Sequence, residues 1–174
     1  MQFDKAISGK KQGLADAQGW PAETFIVGQQ GSPPDTIVWG DSYTEAMIPG
    51  FVSYHRATGR GAIIASRPGC QPLIGISLYQ DKGCELHNAE IFTAILQHSA
   101  KRVILIGFWS AVAKGIVRNS DGSVAYREHG QKDGPVFEAA LRSMIGKLTE
   151  RGKDVVIVGP IPLQKFAAAR VDAG

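Results

Sequence analysis

Four short apolar runs, separated by longer stretches with helical spacing, constrain this chain more than any other feature. The runs are residues 36–39 (Thr-Ile-Val-Trp), 61–65 (Gly-Ala-Ile-Ile-Ala), 102–108 (Arg-Val-Ile-Leu-Ile-Gly-Phe) and 154–158 (Asp-Val-Val-Ile-Val). Each is the right length for a strand buried on both faces, as in a parallel sheet. Between them lie three helical stripes. Residues 43–58 place Ala46, Met47, Phe51, Val52 and Tyr54 on one stripe, interrupted at Pro49 and closed by Gly59; the proline should kink the helix or delay its regular part. Residues 85–99 repeat Leu86, Ala89, Ile91, Ala94, Ile95 and His98 at three- and four-residue spacing. Residues 135–151 begin on a proline and are followed by Gly152, the usual punctuation of a helix. Strand and helix in alternation predict a mainly parallel sheet with helices on both faces, whose chemistry belongs beyond the carboxyl ends of the strands.

Two segments stand outside this alternation. Residues 1–34, broken by Gly9, Gly13, Gly19, Pro21, Gly28, Gly31, Pro33 and Pro34, read as a lead-in to a domain over 35–174. Residues 110–134 are irregular, with Asn119-Ser-Asp-Gly122 as a turn signal that could cap a small hairpin. Composition supports one globular domain: 44% of residues are hydrophobic and the net charge is only +3, which excludes a disordered chain. The apolar uncharged run at 103–113 is far shorter than the roughly 20 residues a bilayer requires. Lys and Arg number 19 against 16 Asp and Glu, and no basic run exceeds Lys10-Lys11, so no nucleic-acid partner is expected.

Cys70 and Cys84 bracket a segment punctuated by Pro72, Gly75 and Gly83. Two reduced thiols are one reading. A disulfide closing the loop, worth about 3 kcal/mol in the chain-entropy picture, is the favoured one and points to an oxidising compartment. The N-terminal residues carry no secretory h-region, which suggests a domain of a larger exported or membrane-bound protein. Zinc has little support, since Cys70, Cys84 and His87 lack an obvious fourth ligand, and no phosphate-binding loop is present; no cofactor is expected.

The sharpest local feature is Trp39-Gly40-Asp41-Ser42-Tyr43, at the end of the first run and the start of the first helix. Gly40 permits a tight turn. Ser42 at a helix N-terminus could attack a carbonyl while its own N–H helps hold the developing oxyanion. Equally, Asp41 or Ser42 could serve only as a helix cap.

In these residues the chain resembles the SGNH, or GDSL, hydrolases, and in particular the SGNH domain attached to membrane acyltransferase-3 proteins that O-acetylate bacterial surface polysaccharides. The matching features run in order: Ile37-Val-Trp-Gly-Asp-Ser42, Pro49 in the next helix, Ser66-Arg-Pro-Gly-Cys70-Gln-Pro-Leu73, the second cysteine, Asn88, Trp109 closing the third run, and the strand at 155–162. The resemblance covers roughly residues 35–165. It implies a flavodoxin-like three-layer α/β/α sandwich, incomplete at the C-terminus, and acyl transfer or ester hydrolysis on a cell-surface glycan through a Ser42 acyl-enzyme. It also implies an extracytoplasmic location and a fused or associated membrane acyltransferase domain as partner, with an acyl donor and a glycan acceptor as ligands. Ser42 matches the nucleophile, Gly40 and Asp41 its motif, and the N–H groups of Ser42 and Gly69 the oxyanion donors. Gly107-Phe-Trp-Ser110 stands where relatives have Gly-x-Asn-Asp, leaving Asn88 or Trp109 as substitutes for the side-chain donor. Tyr43 occupies a position that is His in many members of this branch.

The family's Asp-x-x-His is absent: Asp172 has no following histidine. A chain truncated before that block, inactive or weakly active alone, is the expectation. His55 lies 13 residues from Ser42, about 20 Å along a straight helix, and cannot replace the base. His87, His98 and His129 read as surface or helix-end residues, although His129 could swing over the site. The alternative is a non-catalytic glycan-binding or interaction module on an SGNH fold that has lost its Asp-His pair.

Overall fold

The structure, a computed structural model, describes residues 14–28, 31, 33–75, 82–110, 116–118, 124–126 and 134–159. Its elements are β1 (Ala15–Asp16), β2 (Thr24–Gly28), β3 (Pro34–Gly40), α1 (Ser42–Thr58), β4 (Gly61–Ser66), α2 (Lys82–Gln97), β5 (Arg102–Ile106), β6 (Ile116–Arg118), β7 (Val124–Tyr126), α3 (Gly134–Glu150) and β8 (Asp154–Val158). Six strands form one sheet in the order β1-β2-β4-β3-β5-β8. The four strands read from the sequence, β4, β3, β5 and β8, are parallel in one register: Gly40 lies beside Ser66 on one side and Ile106 on the other, and Ile106 beside Val158.

Residues 15–16 and 24–28 add two strands to the sheet. β2 pairs antiparallel with β4, from Thr24↔Ala65 to Gly28↔Gly61, and β1 pairs antiparallel with β2. The glycines and prolines of this stretch punctuate two short strands whose pairing is set by the free edge of β4, a tertiary partner no local pattern reveals. β6 and β7 pair antiparallel, from Ile116↔Tyr126 to Arg118↔Val124, while the expected turn at residues 119–122 lies outside the described residues.

Alternation along the strands sorts the core into two layers. Ile37, Trp39, Ile63, Ala65, Val103 and Leu105 pack with Ile91, Phe92 and Ile95 of α2 and Met144 and Leu148 of α3. Val38, Ala62, Ile64 and Ile106 face the other way and pack with Ile48 of α1. Two helices cover one face and one helix the other, the three-layer α/β/α arrangement. α1 begins after the N-cap Asp41 and ends at Gly59, which takes the left-handed φ of 68° that terminates a helix cheaply. It runs as one element through Pro49, whose missing N–H costs the bond to the Glu45 carbonyl. At the opposite edge of the sheet, the buried Lys153 donates to the carbonyls of His98 (2.5 Å) and Ala100 (2.8 Å), fastening the start of β8 to the chain that leaves α2.

Candidate active site

β3 lies between β4 and β5. The chain reaches β4 on one side through α1 and then crosses to β5 on the other. The crevice outside the carboxyl end of β3 is therefore the switch point at which open α/β sheets bind ligands. Gly40, Asp41 and Ser42 occupy it. A side chain at position 40 is impossible without rebuilding, because a Cβ there would overlap the Ile106 carbonyl oxygen and Thr44 Oγ1. Glycine thus lets β3 and β5 stay paired up to the residue where the helix must begin.

Asp41 holds the junction together. It is 1% exposed. Its Oδ1 accepts from Tyr43 N at 2.9 Å, capping α1, and its Oδ2 accepts from Phe108 N at 2.9 Å, just past β5. Its own N–H donates to Ile106 O at 3.3 Å. One carboxylate thus ties the helix start to the exit of the neighbouring strand. Burial pushes its pKa above the usual carboxylate range, against the pull of the N–H groups of Phe108, Tyr43 and Asp41 itself and of the Gln71 side chain.

Ser42 is exposed and is the first residue of the helix. Its N–H has no intrahelical acceptor, as is general for the first turn, and the positive end of a 17-residue helix lies behind it. Among the described residues, no hydrogen bond involves its hydroxyl. Its side chain is presented to solvent, whereas the capping role falls to Asp41.

The loop after β4 forms the other wall. Arg67 N donates to Gly40 O at 3.2 Å, holding the loop against the serine turn. Arg67-Pro68-Gly69-Cys70 is a β-turn closed by Cys70 N to Arg67 O at 3.1 Å, with Gly69 at a φ of 76°. Proline second and a positive-φ glycine third are the marks of a type II turn. The Gly69 N–H is not used by that turn, so Gly69, like Ser42, keeps a backbone donor on the carboxyl edge of the sheet. Two cross-links fix the loop. Cys70 and Cys84 form a disulfide to the first turn of α2, with Cα atoms 5.3 Å apart. Asn88 Nδ2 donates to Gln71 O at 2.8 Å, while its Oδ1 accepts from Trp39 Nε1 at 3.3 Å.

Those last bonds give Asn88 a task other than the oxyanion contact suggested by the sequence. It is buried, with its amide oxygen on Trp39 and its amide nitrogen on Gln71 O, so it links β3 to the loop after β4. Trp109 is likewise spent: its Nε1 donates to Val158 O at 2.8 Å. His55 is buried at the far end of α1, and burial lowers its pKa. His87 lies in α2 and His98 just after it; His129 lies outside the described residues. With both sulfurs in the disulfide, the Cys70, Cys84 and His87 trio offers a metal no thiolate. The contribution of the Phe108 amide had no signal in the sequence beyond its place after the third apolar run.

The sequence matches the description "SGNH domain (fused to AT3 domains)" over residues 10–173. The chain belongs to that SGNH family. Among solved structures, the periplasmic domain of a lipopolysaccharide acetyltransferase of Salmonella ser. Paratyphi A superimposes with a TM-score of 0.56 at 19% identity. That match covers 92% of this chain and 57% of the Salmonella domain, so the chain spans little more than half of its neighbour's length. At such identity the likeness concerns the fold. No curated protein matches the sequence. The SGNH assignment agrees with the placement of Gly40-Asp41-Ser42 at the switch point and with the three-layer architecture. No helix among the described residues is long and apolar enough to cross a membrane.

Proposed function

We propose that this SGNH domain carries an acyl group on Ser42 and passes it to a hydroxyl of a bacterial cell-surface polysaccharide, with water as the competing acceptor. The observation that carries the reading is the exposed Ser42 at the head of α1, with its own N–H and that of Gly69 on the same edge of the sheet. Ser42 Oγ attacks the carbonyl carbon of an acyl donor, and the carbonyl oxygen takes up negative charge. Both backbone donors are preorganised to meet that charge: one lies at the positive end of a helix, the other in a turn held by a disulfide. Collapse breaks the bond to the donor's leaving oxygen and leaves an ester on Ser42. A sugar hydroxyl then repeats the attack on that ester and releases the serine.

The proton of Ser42 Oγ needs an acceptor. Asp41 does not serve, because both of its oxygens are bound to backbone N–H groups. The family's Asp-x-x-His would fill that role; loss of one triad member leaves catalysis on the order of 10³–10⁴ over water in well-characterised hydrolases. Fusion of such domains to AT3 domains supports an extracytoplasmic setting with a membrane acyltransferase domain as the source of acyl groups. The Salmonella neighbour, described as a lipopolysaccharide acetyltransferase domain, supports acetyl as the group and a surface glycan as the acceptor. Incubation with an activated aryl acetate tests the proposal. The peptide containing Ser42 should gain one acetyl group, and Ser42→Ala should abolish the gain. Acetylation that persists elsewhere in the variant, or its absence from Ser42 in the parent, overturns the assignment and leaves the glycan-binding reading of the fold.

A further inference from the structure

An aromatic pair flanks the serine turn on its β5 side. Tyr43, the second residue of α1, and Phe108, the second residue after β5, bring their ring centroids to 5.4 Å with planes tilted by 38°. Both side chains are partly exposed. Such a tilted pair presents one continuous apolar surface made of ring faces and edges. Its position relative to Ser42 is fixed by the backbone: the amide of each ring-bearing residue donates to Asp41, Tyr43 N to Oδ1 and Phe108 N to Oδ2, both at 2.9 Å. Asp41 immediately precedes the serine. The serine turn is therefore flanked on two sides. The Gly69 N–H lies on its β4 side, and the ring pair lies on its β5 side, with Tyr43 also packing against the core beneath α1.

The two sides suit different parts of an acyl-transfer reaction. Developing negative charge belongs with the N–H donors. The aromatic side suits a neutral group that is apolar on one face and carries hydroxyls at its rim, which is the chemistry of a pyranose ring. The C–H groups on one face of a sugar carry slight positive charge and pack against the negative face of an aromatic ring, while the equatorial hydroxyls project sideways toward whatever reacts. An open-chain polyol presents no such face.

We infer that Tyr43 and Phe108 form the acceptor platform of this site, seating the apolar face of a sugar ring so that one of its hydroxyls points at the acyl group on Ser42. The inference rests on the acyl-transfer reading for the identity of the reaction, but the platform binds sugar whether or not Ser42 reacts. Its test is therefore separate from acetylation of Ser42.

The probe is methyl β-D-galactopyranoside, with sorbitol as the open-chain polyol control, titrated into the full 174-residue chain and followed by NMR. The ring protons of Tyr43 and Phe108 and the Phe108 amide should shift saturably with the glycoside, with a dissociation constant in the millimolar range, and not with sorbitol. Phe108→Leu, which keeps an apolar side chain but removes the ring, should weaken binding at least fivefold. Phe108→Tyr should restore it, which a purely structural role for the ring would not require. Equal shifts with sorbitol, or binding unchanged in Phe108→Leu, overturn the platform. Acetylation of Ser42 with no glycoside shift at the rings also overturns it and leaves the acyl-transfer reading standing. Saturable ring shifts in a protein whose Ser42 does not acetylate retain the platform and remove only that reading.

Discussion

Replacing Asp41 by alanine removes the cap of α1 and the acceptor for Phe108 N in one step. Loss of a helix cap costs about 1 kcal/mol. The Phe108 amide then faces a site where Asp41 had been fully buried, and an orphaned buried donor costs about 1–3 kcal/mol. Against this stands relief from burying a carboxylate, which the raised pKa shows to be a real cost. We expect a net loss of about 2–4 kcal/mol, read as a lower urea midpoint at pH 7 with an unchanged slope. Asp41→Asn should fall between, because an amide offers one oxygen to two N–H groups that approach from opposite sides. The pH dependence supplies a second handle. Asp41 titrates above its ordinary 3.8 in the folded state, so the folded form binds more protons than the unfolded form between those two values. Stability attributable to this group is fully present below 3.8 and is lost as the pH rises through the raised folded value. Relative to Asp41→Asn, the parent should therefore gain stability on acidification through that window. Both variants within about 0.5 kcal/mol of the parent at pH 7, or a parent–Asn gap that narrows on acidification, would refute the junction role.

Three further outcomes follow from the same geometry. Gly40→Ala should cost about 3 kcal/mol or prevent folding, since its Cβ overlaps the Ile106 carbonyl and Thr44 Oγ1; a thermal midpoint near the parent's would contradict that packing. Replacing Cys70 and Cys84 together by serine should lower stability by about 3 kcal/mol while leaving the amide spectrum folded, because Asn88 still holds Gln71 O; equal urea midpoints for the parent and the double variant would argue against the clamp. His55 is held below its ordinary 6.5 by burial, so the folded state binds fewer protons and stability falls as the pH drops from 6.5 toward the folded value. His55→Gln should lack this component, which urea titrations at pH 7.5 and 5 would reveal as a smaller acid-side loss.

Much of this arrangement was legible from residues 36–42. An apolar run of strand length, one glycine and a capping pair specify a strand-to-helix turn by local physics alone, and the structure puts β3, Asp41 and α1 there. The four parallel strands were equally visible, because strands of a parallel sheet read as continuous apolar runs, even β8, which lies at the sheet edge with Val156 and Ile157 exposed. β2 was not. Thr24–Gly28 is five residues ending on a glycine, and its strand character comes from pairing with residues 61–65, which lie more than thirty residues away. The roles of Asn88 and Trp109 were hidden for a related reason. A side-chain amide or indole near a site can face the substrate or the scaffold. Only the partners decide, here the carbonyls of Gln71 and Val158. Asp41 was readable as a cap but not as a link to Phe108, since that bond spans 67 positions of sequence.

The double attachment of Asp41 has a consequence for how such a site can adapt. Ser42 and the Tyr43–Phe108 ring pair share one anchor, so neither can be repositioned without dragging the other. Under the proposed acyl transfer, room for a bulkier acyl chain or a branched sugar comes from the opposite bank, beyond the sulfur bridge at Cys70 and the asparagine brace at Gln71, where Ile74 and Gly75 reach the surface.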